Sequence, residues 1–65
     1  MPTPTGPELR KERDAARVYR TELARAASWS RAWVQIIEQS AVLRPDQVDR
    51  YRAALAECVA ERAGR

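Results

Sequence analysis

Residues 20–38 read RTELARAASWSRAWVQIIE, and this stretch decides the fold. Leu23, Ala24 and Ala27 recur at the i, i+1, i+4 spacing of a narrow buried helical stripe, and small Ala24 lets a second helix cross close above it. Val34 and Ile37 offer a second stripe to the same core. Between the two runs Ser28, Trp29 and Ser30 leave room only for a turn, and Ser30 can cap the following helix by accepting from a free backbone N–H. Trp29, inside that turn, is best explained as a core residue. Two short helices fixed in this way, the second with a polar outer face, have the layout of a helix-turn-helix.

Working outward, residues 1–6 (MPTPTG) predict a flexible N-terminal arm that ends where Pro7 takes the first turn of a helix over about 7–16. Leu9, Ala16 and the stem of Arg13 should point inward, with Arg10, Lys11 and Glu12 largely outward. Val18 adds an apolar contact before a second helix over about 20–27, and a third helix runs over about 30–39. Past Ala41, Val42 and Leu43, Pro45 and Asp46 fit the start of a last and longest helix over about 45–62, ended by Gly64. Its apolar positions Val48, Tyr51, Leu55, Cys58 and Val59 alternate in steps of three and four, one continuous stripe. The near half of that stripe should close the core. The far half, Leu55, Cys58 and Val59, is the expected dimer interface. The whole reads as an all-α, compact four-helix domain over residues 7–65.

Sixty-five residues make one domain with a core marginal for independent stability, so a homodimer is expected. No apolar run approaches the length needed to cross a bilayer, and the Pro/Thr-rich start lacks the apolar segment of a signal peptide. A cytoplasmic protein, nucleoid-associated when on DNA and without membrane contact, is the expectation. One cysteine and no histidine argue against an internal disulfide, a metal site, a cofactor and acid–base catalysis, so no enzyme activity is expected. The net charge of +3 matters through its placement: residues 15–44 hold five arginines against two acids, whereas residues 45–65 hold four basic residues and four acidic ones. Arginine outnumbers lysine eleven to one, which is compositional. Its concentration on the central segment is informative.

The order ELARAA, then S-W-S-R, then V-x-x-I-E resembles the Cro/C1-type (XRE-like) helix-turn-helix family of phage and bacterial repressors. Leu9, Arg10 and Arg13 look like that family's first helix, and VDRYRAAL (residues 48–55) looks like a following core helix, so the resemblance covers residues 7–57. It implies a lambda-repressor-like fold, double-stranded DNA as partner, and a sequence-specific transcriptional regulator: a Cro-like repressor, of phage or mobile-element type, on a near-palindromic operator. Arg31, Ala32, Trp33 and Ile36 would then lie at the base edges, with Gln35 at the flank, and Arg31 is best suited to donate to guanine O6 and N7. Ala32 on a helix needs no functional explanation, although it could meet a thymine methyl group. Phosphate contacts would come from Arg20 and Thr21, with Arg10, Arg17 and Arg44 around the rim. Arg13 and Glu38 resemble a structural ion pair of the family. Arg17 and Ser28 stand where the family commonly has glycine. Trp33 and Ile36 are unusual on a groove-reading face, and the alternative is a helical protein-interaction module, an antirepressor or host-factor binder, that uses them to dock a protein partner.

Overall fold

The structure, a computed structural model, describes residues 3–64. Four helices follow in order, α1 (Gly6–Ala15), α2 (Arg20–Ala27), α3 (Arg31–Gln39) and α4 (Pro45–Ala63), with no strand among the described residues. The all-α, four-helix expectation is met, and no helix limit differs from the sequence expectation by more than one residue. α1 starts with a capping box: Thr5 Oγ1 accepts from the Glu8 amide and Glu8 Oε1 accepts from the Thr5 amide, each at 3.4 Å, which satisfies two otherwise orphaned donors.

This start corrects the extent of the expected arm. Thr5 and Gly6 belong to the fold, while the arm's first two residues lie outside the described residues. Gly6 is buried against the C-terminal end of α3, and its amide donates to the Ser40 carbonyl at 2.8 Å. A Cβ at this position would stand 2.1 Å from the Ile37 carbonyl oxygen. Glycine is therefore present for close approach of two backbones, a role that local sequence does not distinguish from flexibility.

α1 and α2 end alike. Arg17 and Ser28 both take left-handed backbone conformations, with φ of 57° and 59°. In each case the next amide reaches back five residues, Val18 N–H to Arg13 C=O at 3.2 Å and Trp29 N–H to Ala24 C=O at 2.9 Å. These are Schellman closures with a Cβ-bearing residue at the position that glycine usually takes. They fix the two corners that aim α2 and α3.

The core gathers Leu9, Val18, Leu23, Ala24, Ala27, Val34, Ile37, Leu43, Val48, Tyr51, Ala54 and Cys58, with Trp29 and Leu55 half-buried against it. α2 packs chiefly on α4 and also on α3, while α1 lies across α3 and α4. Ion pairs brace the outside of α4: Arg52 to Glu12 of α1 at 2.8 Å and Arg62 to Glu22 of α2 at 2.6 Å. Arg62 also donates to the Arg17 carbonyl at the first corner. Cys58 corrects the expected dimer stripe. Only 4% exposed within the single chain, it completes this core and has no surface left for a second copy. Val59, one residue and about 100° further round the helix, is 44% exposed and is the outward residue of the trio, with Leu55 half-buried.

Candidate nucleic-acid interface

α3 has two unlike sides because its apolar residues are three apart and its single acid falls beside them. Ser30 caps it, Oγ accepting from the Trp33 amide at 3.0 Å, which fixes where the helix starts. Val34, Ile37 and Glu38 then face inward. At about 100° per residue, Ala32, Ile36 and Gln39 lie opposite them, with Arg31 and Gln35 on one flank and Trp33 on the other. All six are exposed, Ile36 at 52% and Trp33 at 37%. Among the described residues, α3 therefore exposes no carboxylate.

Glu38 is withdrawn from that surface by three donors. Arg13 Nε and Nη2 donate to its two oxygens at 2.7 and 3.2 Å, the Tyr51 hydroxyl donates to Oε2 at 2.6 Å, and Arg20 Nε donates to Oε1 at 3.3 Å. Arg13 Nη1 donates to the Val18 carbonyl at 2.9 Å. Arg13 and Glu38 are 7% and 3% exposed, so the expected ion pair is present and buried. Burial by itself would raise the Glu38 carboxyl, but the hydrogen bonds from Arg13 and Tyr51, with the charges of Arg13 and Arg20, outweigh it and hold the group below the ordinary glutamate value. Burial likewise opposes the charge on Arg13, and Glu38 more than restores it. Tyr51 is pushed well above the ordinary tyrosine value, by burial first and then by donating to a carboxylate, so it stays a donor.

Two members of this cluster were not legible in sequence. Tyr51 fits the apolar stripe of α4 by spacing, and its hydroxyl could have been flagged only because a buried phenol needs an acceptor. Arg20, expected at phosphates, is half-buried and shares its Nε with Glu38, so it links the start of α2 to the end of α3. The Tyr19 amide at this helix start is taken by Glu22 Oε1 at 3.0 Å. The amides of Arg20 and Thr21 have no acceptor within the helix, as in any first turn, and Thr21 is exposed.

The other expected phosphate ligands sit on separate elements. Arg10 on α1 lies 3.8 Å from Asp14, and Arg44, at the N-terminal cap of α4, lies 3.1 Å from Asp46. Arg17 is exposed at the first corner. These pairs are solvent-exposed and weak enough to exchange partners. Arg25 on α2 is also exposed and extends the basic surface. Beside Trp33 the surface dips into a depression of about 320 Å³ lined by Trp29, Trp33, Asp46, Gln47 and Arg50. Arg50 is held in that lining by Nε donating to the Ala27 carbonyl at the end of α2 at 2.8 Å.

The chain matches no family model, no curated protein and no solved structure. No helix among the described residues is long and apolar enough to cross a membrane.

Proposed function

We propose that the protein is a sequence-specific DNA-binding regulator in which α2 and α3 act as a helix-turn-helix of the Cro/C1 type, with α3 entering the major groove. The observation that carries this reading is the surface of α3: Arg31 and Gln35 stand beside Ala32 and Ile36, and the one acid of the helix is turned inward and neutralised. A helix so arranged can approach stacked base pairs between two phosphate chains without repulsion. Arg31, near the helix start, is the base-reading residue, able to donate two parallel hydrogen bonds to guanine. Thr21 and the first amides of α2 bind phosphate, joined by the outer guanidinium nitrogens of Arg20 and by Arg10, Arg17 and Arg44. Arg13 and Glu38 hold α3 in place and read nothing.

The active species is a homodimer on a near-palindromic operator, its two α3 helices about 34 Å apart. Val59, with the edge of Leu55, is the exposed apolar part of α4 available to a second copy. A helix-turn-helix bound over a promoter acts by occupancy, excluding polymerase, which makes repression the natural mode in the cytoplasm at the nucleoid. Trp33 and Ile36, large apolar side chains exposed on one helix, favour a second reading, a protein-docking module on the same scaffold.

Selection of bound duplexes from a random-sequence DNA pool separates the two, with Arg31→Ala run beside the wild type at matched salt. A palindromic motif that loses definition at one position in Arg31→Ala is the expected result, and affinity for it should fall steeply with salt, the logarithmic slope being about −0.9 for each phosphate neutralised. No enrichment at low salt would overturn DNA binding and leave protein docking.

A further inference from the structure

Half of the outward face of α3 is apolar, and contact with phosphates gives that half no task. Ala32 and Ile36 are four apart and so adjacent on the helix, Trp33 adjoins Ile36 three residues before it, and Arg31, Gln35 and Gln39 form the polar half alongside. Trp33 leans toward the depression that it shares with Trp29 and the start of α4. Ile36, at 52% exposed, is thus the more exposed of the two large apolar side chains on this face.

We infer that this apolar half reads the C5 methyl groups of thymine, and that each half-site places one or more thymines within one or two base pairs of the guanine read by Arg31. The inference rests on the DNA-binding function and names the chemistry recognised. The thymine methyl is the one methyl group on the major-groove edge, where the other groups that distinguish base pairs donate or accept a hydrogen bond. Ile36 laid over any of those would remove water without replacing the bond. Ile36 stands five residues, about 7.5 Å of helix rise, beyond Arg31, and base pairs rise by about 3.4 Å, so Ile36 meets a step about two from that of Arg31 and Ala32 a nearer one. Charge favours DNA over a protein as the occupant, because Arg31 borders the apolar ridge and α3, among the described residues, exposes no carboxylate.

The test uses the duplex recovered by selection, resynthesised with deoxyuridine in place of thymidine at each half-site position in turn. The substitution removes one methyl group and leaves the hydrogen-bonding edge unchanged. Fluorescence anisotropy with wild-type protein should show affinity falling about fourfold for each contacted methyl lost, the transfer value of one buried methyl-sized group. Ile36→Ala, a change at an exposed position that circular dichroism should show folded, ought to bind more weakly and to abolish the difference between the thymidine and deoxyuridine duplexes at its own position. Equal affinity of the wild type for both duplexes overturns the inference while the selected motif keeps the DNA-binding function intact. Deoxyuridine penalties that persist unchanged at every position in Ile36→Ala show that Ile36 reads no methyl group and also overturn it. Failure to select any duplex removes the function and the inference together.

Discussion

Glu38→Ala is the substitution that tests how the domain is held together. Three helices converge on this carboxylate: Arg13 from α1, Arg20 from α2 and Tyr51 from α4. Truncation leaves Arg13 with Nε and Nη2 unpaired at a position 7% exposed, keeping its bond to the Val18 carbonyl and a 3.6 Å contact of Nη1 with the exposed Asp14 carboxylate, and removes the acceptor of the Tyr51 hydroxyl. Arg20 has a third of its side chain in solvent and loses little. Breaking a buried pair from one side costs about 3–5 kcal/mol. At roughly 0.05–0.15 kcal/mol per residue a chain of this length holds on the order of 3–10 kcal/mol, so the variant should lose between a third and all of its stability. Urea unfolding followed by circular dichroism measures the change, and thermal melts should show a drop of at least about 12 °C at about 4–8 °C per kcal/mol. Replacing both charges together, Arg13→Met with Glu38→Leu, should cost less than Glu38→Ala by itself, since no ion is then stranded. The pH dependence supplies an independent check. The folded-state carboxyl lies below its unfolded value, so its contribution is complete above the ordinary glutamate value of about 4.3 and is lost as pH falls through the depressed folded value. Wild-type protein should therefore weaken on acidification below that point, and Glu38→Ala should lack this component. A loss under about 1 kcal/mol for Glu38→Ala would refute the argument, because it would mean that the carboxylate is effectively solvated.

Two further substitutions test the corners and the close approach. Ser28→Gly relieves a left-handed backbone at φ 59° and should raise stability by about 0.5–1 kcal/mol after the entropy cost of glycine, seen as a higher urea midpoint with unchanged slope; a lower midpoint would show that the corner is not strained. Gly6→Ala puts a methyl group 2.1 Å from the Ile37 carbonyl oxygen and should cost about 1–3 kcal/mol in the same assay, the range for forced overpacking, whereas an exposed flexible arm would tolerate it without effect.

The helices themselves were legible because their signals are local. Ser30 before a helical run, Pro7 and Pro45 in first turns, and the three-and-four spacing of Val48, Tyr51 and Leu55 each depend on neighbours within a few residues. The split surface of α3 follows from the same spacing, so Arg31, Ala32, Trp33, Gln35 and Ile36 could be placed together before any tertiary contact was known. Gly6 and Cys58 show where this stops. Gly6 follows a Pro/Thr-rich stretch and reads as part of an arm, yet its amide and missing Cβ serve a contact with residues more than thirty positions away. Cys58 continues an amphipathic stripe, and only the path of α2 across α4 determines that it meets its own chain.

Sequence by itself determined the all-α class, the four helices and their order, the inward and outward faces of α3, and the turn over Ser28, Trp29 and Ser30, since helix period and capping are properties of short segments. Only the tertiary structure decided that both corners adopt positive φ, that Tyr51 and Arg20 join Arg13 on Glu38, and that the N-terminal segment locks onto the end of α3. The last two depend on groups distant in the chain meeting at hydrogen-bonding range, and the free energy of burying Glu38 has no counterpart in any local segment: a carboxylate is tolerable there because three helices each bring a donor to the same point.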